Sequence, residues 1–219
     1  MTSAVERLAI IRTGIAAAAE VARRDPAEVQ LIAVSKGRSA EEIEALIDAG
    51  QRDFGESRVQ EALDKWPALL ARHPDVKLHE IGRLQSNKAA EAVRLFHTVH
   101  SVDRASLLDS LAKEATKAAR EPAVYVQVNI GEEEQKGGCS IGEIGALVDA
   151  VRASPLPLVG LMAIPPVGVE PAPYFALLAK VARRHDVTGL SMGMSADFRT
   201  AVMRGATAVR VGTALFEDQ

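Results

Sequence analysis

The chain has few of the residues that would build a disulfide, a metal site or a membrane span. Its single cysteine, Cys139, excludes an internal disulfide and fits a reducing compartment. One cysteine and five scattered histidines show no spacing typical of a metal site. No apolar run approaches the ~20 residues that a membrane helix requires. We therefore expect neither a metal nor a membrane-spanning segment.

An excess of positive charge is also lacking. The sequence has 26 Lys and Arg against 29 Asp and Glu, a net charge of −3, which argues against nucleic acid as a partner. Glu6, Arg7 and Arg12 interrupt the apolar segment that a signal peptide would need. The 219 residues, 47% of them hydrophobic, suffice for one large core. We predict a cytoplasmic protein with a single domain over residues 1–219.

Short apolar runs alternate with amphipathic segments along the whole chain. Ser39 with Glu42, for example, forms a capping box that marks the start of a helix. Residues 124–130 are the clearest strand, since apolar and β-branched residues dominate them. Strands are predicted at residues 30–34, 52–54, 77–81, 97–101, 124–130, 158–162, 188–191 and 207–211, with a helix after each of the first seven.

This alternation predicts an α/β protein with a parallel sheet, closed into a TIM-like (β/α)8 barrel. A capping box at Ser3 and Glu6 opens an extra N-terminal helix of about five turns. We expect that helix to take the place of the eighth barrel helix, which is absent after residue 211. A doubly wound open sheet is the alternative topology.

Lys36 follows the first strand directly. A lysine in this position is expected at the barrel rim, with its stem half-buried and its amine towards a cavity. Desolvated lysines lose their proton readily and attack carbonyl groups. An ordinary surface lysine in a turn is the alternative. Lys65, Lys88 and His79 are interpreted as plain rim or surface residues.

Two segments near the end of the chain carry groups that suit a phosphate. Barrels of this type commonly bind phosphate with the loops after strands seven and eight. Those loops contain Ser191, Gly193, Ser195, Arg210, Gly212 and Thr213. A reactive lysine together with a phosphate site suggests pyridoxal 5′-phosphate. A Schiff-base aldolase acting on a phosphorylated substrate is an alternative.

Seven segments together carry a resemblance to a known family. They are residues 33–36, 54–61, 81–88, 100–103, 160–162, 190–197 and 209–213. In this order they resemble the pyridoxal phosphate homeostasis protein family, whose fold is like the barrel domain of bacterial alanine racemases. One departure is Ser57, which stands where the family usually has asparagine, near the expected mouth of the cofactor site.

The resemblance implies a role for each matching residue. It implies that Lys36 holds the cofactor as an internal aldimine and that Arg210 lies beside the pyridine nitrogen. It assigns the phosphate to Gly212, Thr213 and the loop of Ser191, Gly193 and Ser195. It places Asn129 and Met162 along the ring and Lys136 near the mouth.

The sequence favours a carrier over an enzyme. An arginine at the pyridine nitrogen disfavours protonation of the ring, which makes the ring a poorer electron sink. Racemases with this barrel also use a tyrosine from a second domain, and we expect no such domain here. We therefore predict a monomer that holds pyridoxal phosphate and passes it to recipient apo-enzymes without robust turnover. A weak amino-acid racemase or another enzyme using this cofactor is the alternative.

Overall fold

A computed structural model describes residues 2–217, which form a closed barrel of eight parallel strands in sequence order. The strands are β1 (Gln30–Val34), β2 (Asp53–Glu56), β3 (Lys77–Glu80), β4 (Thr98–Val102), β5 (Ala123–Val128), β6 (Leu158–Ala163), β7 (Gly189–Ser191) and β8 (Ala208–Val211). The last strand pairs with the first, with Ile32 opposite Arg210. The predicted barrel is confirmed, and the open sheet is wrong.

Helices follow the strands and form the outer layer. They are α1 (Ala4–Val21), α2 (Ala40–Asp48), α3 (Val59–Arg72), α4 (Ala89–Leu95), α5 (Ala105–Ala118), α6 (Ile144–Ala153), α7 (Ala172–Arg184), α8 (Phe198–Met203) and α9 (Thr213–Phe216). Predicted bounds differ by a few residues. For example, β5 ends before Asn129, because the Asn129 N–H donates to the carbonyl of Cys139 in the following loop. None of the helices within residues 2–217 is long and apolar enough to cross a membrane.

The N-terminal helix α1 closes the outer layer. The Ser3 hydroxyl accepts from the Glu6 N–H at 3.2 Å, and the Glu6 carboxylate accepts from the Ser3 N–H at 2.7 Å. The helix packs against both α8 and α2, as predicted for a helix in the eighth position. The expected absence of a helix after residue 211 is wrong, because β8 leads into the four-residue α9. Arg7 Nε donates to the Leu215 carbonyl at 2.8 Å and joins α1 to α9.

The apolar core lies between the strands and the helices. Phe54 and Leu78 on neighbouring strands are fully buried, and the Phe54 ring packs 5.2 Å from the ring of Trp66 on α3. Burying each such side chain contributes roughly 2–3 kcal/mol. Because successive strand residues point to opposite faces, the neighbours Asp53 and His79 point into the barrel instead. The inside of the barrel therefore holds polar groups.

Candidate functional site

Lys36 and the segments predicted to bind phosphate meet at the C-terminal end of the barrel. They line a cavity of about 340 Å³. Its walls are Val34, Lys36, Arg38, Met194, Ser195, Ala196, Arg210, Gly212 and Thr213. The closure of the barrel brings them together, since β1 and β8 are adjacent and β7 lies next to β8. Residues separated by about 160–180 positions in the chain thus share one site.

Lys36 lies in the turn after β1. Its side chain is exposed, not half-buried as expected, because the turn extends past the end of the strand. The Lys36 amine makes no hydrogen bond or ion pair with any residue between 2 and 217. An unpaired amine at the edge of a cavity is accessible to an electrophile such as an aldehyde.

The backbone on both sides of Lys36 is held by α3. Lys65 Nζ donates to the Ser35 carbonyl at 2.9 Å. The Gly37 N–H donates to the Glu61 carboxylate at 2.5 Å. Lys65 is therefore a structural clamp on the turn and not the plain rim residue that the sequence suggested.

A buried carboxylate anchors this clamp. Glu56, at the end of β2, is fully buried and lies 2.8 Å from Lys65 Nζ. Its Oε1 also accepts from the Ser35 hydroxyl at 2.7 Å and from Trp66 Nε1 at 2.8 Å. A buried ion pair with additional hydrogen bonds fixes geometry even where its net stabilisation is small.

The loops after β7 and β8 present unpaired donors to the cavity. The backbone N–H groups of Ser195, Ala196 and Thr213 make no hydrogen bond with any described residue. The Ser195 hydroxyl accepts from the Gly212 N–H at 3.2 Å and ties the two loops together. Clustered backbone N–H groups and hydroxyls are the donors that bind phosphate. The residues present therefore fit a phosphate group.

Gly193 sets the shape of the first of these loops. Its φ is +95°, a conformation that side chains disfavour. A Cβ at this position would also lie 2.5 Å from the Cβ of Ala201. The loop can take this path only with glycine.

Arg210 forms the inner wall of the cavity. It is buried, and burial lowers the pKa of its guanidinium to about 10, so it remains cationic at neutral pH. Its Nη1 donates to the Ser191 hydroxyl at 2.6 Å and its Nη2 to the Ala163 carbonyl at 3.2 Å. Ser191, expected at the phosphate, is fully buried and has Arg210 as its partner instead.

A chain of buried polar side chains continues from Ser191 through the barrel. The Ser191 hydroxyl lies 2.9 Å from His100 Nδ1, and His100 Nε2 lies 3.1 Å from His79 Nδ1. His79 Nε2 lies 3.0 Å from the Asp53 carboxylate at the other end of the barrel. His79 is therefore an interior residue, and its interpretation as a surface residue is wrong.

The hydrogen bonds of this chain have a single consistent direction. Arginine can only donate and a carboxylate can only accept, and all four contacts are satisfied when every proton points from Arg210 towards Asp53. Burial, with the nearby His79 and Arg210, lowers the pKa of His100 well below 6.5, so this ring is neutral. The ring also stacks on Tyr125 with centroids 4.3 Å apart.

We expect His100→Phe to destabilise the protein by about 2–3 kcal/mol. The ring can still stack on Tyr125, but His79 loses its donor and Ser191 loses its acceptor, and each unpaired buried group is costly. Urea unfolding followed by circular dichroism measures the effect. Ser101→Ala is the matched control, because the neighbouring Ser101 hydroxyl is buried without a hydrogen-bond partner among residues 2–217. Equal stabilities of H100F and wild type would contradict the assigned chain.

The remaining predicted residues lie outside this cavity's walls. Asn129 Nδ2 donates to the Glu133 carbonyl at 2.8 Å, and Asn129 Oδ1 accepts from the Glu133 N–H at 3.1 Å. Lys136 Nζ pairs with Glu133 and donates to the Pro165 carbonyl at 3.0 Å. Both residues therefore order the loop after β5. Met162 is fully buried at the register position of Ser191, and Ser57 lines a separate, larger cavity.

Comparison with known proteins places the chain among relatives of one kind. The family of the alanine racemase N-terminal domain matches residues 8–219. The pyridoxal phosphate homeostasis protein of Pseudomonas aeruginosa is 41% identical over 99% of this chain and 96% of that protein. The structure of PipY from Synechococcus elongatus with PLP bound superimposes with a TM-score of 0.84 at 39% identity, over 97% of this chain and 99% of that one.

Proteins with much lower identity share only the fold. Alanine racemase from Corynebacterium glutamicum is 16% identical, with a TM-score of 0.63. The match covers 94% of this chain but 59% of the racemase. The common part is the barrel.

Proposed function

Because the chain belongs to the pyridoxal phosphate homeostasis protein family, we propose that it binds pyridoxal 5′-phosphate and acts in the homeostasis of this cofactor. The observation that carries the proposal is a single cavity lined both by an unpaired lysine and by residues whose unpaired backbone N–H groups can bind a phosphate. The solved structure of PipY with PLP bound supports it.

Each wall of the cavity has a proposed role. When bound, the cofactor would supply an aldehyde and a phosphate, and Lys36 would hold it by condensing with the aldehyde, whose oxygen leaves as water. Ser195, Gly212 and Thr213, with the loop shaped by Gly193, bind the phosphate. Arg210 donates to the pyridine nitrogen and keeps it free of a proton, since a second positive charge there would be repelled. Asn129 and Met162 are proposed to line the ring of the cofactor, and Lys136 and Ser57 are proposed to lie at the mouth of the site.

We propose a carrier rather than a catalyst. The guanidinium of Arg210 is held in the barrel by Ser191 and Ala163 and keeps its charge at neutral pH. Tyr125, a possible second acid or base, is buried inside the barrel, and burial raises its pKa to about 12. A general base works best with a pKa near the operating pH, so this tyrosine is unsuited to the task.

Two measurements on the purified protein test the proposal. Added pyridoxal phosphate should give a visible absorbance band that survives dialysis, and the absence of this band would favour the aldolase alternative. With L-alanine in D2O, the cofactor-loaded protein should exchange the α-proton far more slowly than the ~1 s⁻¹ of an ordinary enzyme. Exchange at enzyme-like rates would establish a racemase and contradict the carrier.

We further propose a cytoplasmic monomer that delivers its cofactor to recipient apo-enzymes. The buried, unpaired thiol of Cys139, whose pKa burial raises to about 12, is compatible with a reducing compartment and is unreactive. Light scattering after size exclusion should give the 23.3 kDa of one chain. A mass of twice that value would contradict the monomer.

A further inference from the structure

A second cavity opens on the other side of the barrel mouth. It has a volume of about 700 Å³ and lies between the first turn of α3 and the loop after β3. It shares no wall residue with the cavity of Lys36. Its volume is typical of sites for small molecules. We call it the α3 cavity.

Unpaired positive groups surround the α3 cavity. Arg58 and Arg83 line it, and neither forms an ion pair with any residue in the described range 2–217. Arg58 is the N-cap of α3, and its side chain makes no capping hydrogen bond. The first N–H groups of this 14-residue helix therefore lack a side-chain acceptor. Cationic side chains and a helix N-terminus together attract anions.

A buried acid lines the same cavity and points to a ligand independently. Glu80, at the end of β3, is 1% exposed. Its Oε1 accepts from the Gly82 N–H at 2.9 Å, whereas its Oε2 has no partner among the residues described. Burial raises the pKa of Glu80 to about 8; the Gly82 bond opposes this rise and the charge of Glu56 adds to it. At neutral pH the side chain is therefore protonated and can donate.

The walls of the α3 cavity are fixed before any ligand arrives. A Cβ on Gly82 would lie 2.1 Å from the Ser57 carbonyl, so the loop after β3 is packed directly on the start of α3. Arg104 pairs with Asp103 and donates to the Leu84 carbonyl at 3.2 Å, which holds the far end of the loop. A preformed site loses less entropy on binding.

We propose that the α3 cavity binds a small phosphate monoester, independently of the cofactor site. The dianion would lie between Arg58, Arg83 and the N-terminus of α3, and Glu80 would donate a hydrogen bond to it. Gln60, Gln85 and Ser86 supply polar contacts for the organic part of the ligand. This site goes beyond the proposed homeostasis function, which involves the α3 cavity only through Ser57, proposed at the mouth of the cofactor site.

Calorimetric titration of the protein loaded with pyridoxal phosphate tests the proposal, because the cofactor then fills the other phosphate site. The probes are glycerol 3-phosphate and sulfate at constant ionic strength. The double variant Arg58→Ala with Arg83→Ala should weaken glycerol phosphate binding at least about tenfold, since two charge-assisted contacts are lost. Arg183→Ala with Arg184→Ala removes the same charge from the exposed end of α7 and should leave the affinity unchanged.

Three results would overturn the proposal. Equal weakening by both double variants would show a general charge effect. Loss of binding on loading with the cofactor would place the ligand in the cofactor site. Equal affinities for glycerol phosphate and sulfate would reduce the cavity to a site for inorganic anions. A higher affinity for glycerol phosphate supports the assignment.

The pH profile of sulfate binding tests the part played by Glu80. Sulfate keeps its charge over this range, and the ionisable groups around Glu80 are Glu56, Arg58, Arg83, Lys88, Asp103 and Arg104. Binding to the wild type should weaken severalfold as the pH rises through about 8, where Glu80 loses its proton. Glu80→Gln keeps a donor and should bind equally from pH 6.5 to 9. An identical decline in both proteins would exclude Glu80 from the site.

Discussion

Lys36→Ala should abolish covalent retention of pyridoxal phosphate. After incubation with the cofactor and reduction with borohydride, the intact mass of the wild type should rise by one cofactor and that of the variant should not. Lys36 is the lysine that lines the small cavity together with Ser195 and Thr213, which are proposed to bind the phosphate. Without it, phosphate and ring contacts alone leave a complex that dialysis removes.

Lys136→Ala is the matched control for this experiment. Lys136 is a lysine of the predicted mouth, but its amine is engaged by Glu133 and the Pro165 carbonyl. We expect K136A to be trapped as fully as the wild type. Full trapping in K36A, or its loss in K136A alone, would identify another lysine as the anchor and refute the assignment.

Glu80→Gln should stabilise the protein strongly at alkaline pH. In the folded protein the pKa of Glu80 is raised from its ordinary 4.5 to about 8 by burial. The folded state thus keeps a proton that the unfolded chain releases, and the free energy of unfolding falls as the pH rises from 4.5 to 8. Each pKa unit corresponds to about 1.4 kcal/mol, so the wild type loses on the order of 5 kcal/mol above pH 8.

Urea unfolding at several pH values measures this difference. Near pH 5 both side chains are neutral in the folded state, and the two proteins should differ by about 1 kcal/mol or less. By pH 9 the variant, which cannot ionise, should be more stable by several kcal/mol. Glu121→Gln, on an exposed glutamate, is the control and should leave the pH profile unchanged. A constant gap between E80Q and wild type at all pH values would show that Glu80 does not titrate as described.

The features predicted well are those that depend on local sequence. Capping boxes at Ser3, Ser39 and Ser140 are all present, because a serine and a glutamate three residues apart satisfy each other without outside help. Strands with buried apolar runs were likewise recognisable, and their alternation with helices determines the barrel. Lys36 then lies near the loops after β7 and β8 because closure of the barrel places β1 beside β8.

The features missed depend on pairs of residues from different strands. His79 is interpreted from the sequence as a plain rim or surface residue, and only the register of the barrel shows that it faces His100 inside it. The sequence did contain a signal for both histidines. Each follows a buried apolar residue of its strand, and successive strand residues point to opposite faces. Lys65 gave no such signal, because its contact with Ser35 depends on how α3 packs beside β1.

The clamp on the turn of Lys36 has a consequence for the proposed capture of the cofactor by this lysine. Ordering a flexible loop during capture would cost roughly 1–2 kcal/mol per residue. Here Lys65 and Glu61 already immobilise the residues before and after the lysine. The proposed capture by Lys36 would then restrict only the torsions of one long side chain, at a cost of about 2 kcal/mol. The proposed hand-over to a second amine would require rotation of that side chain and no melting of the backbone.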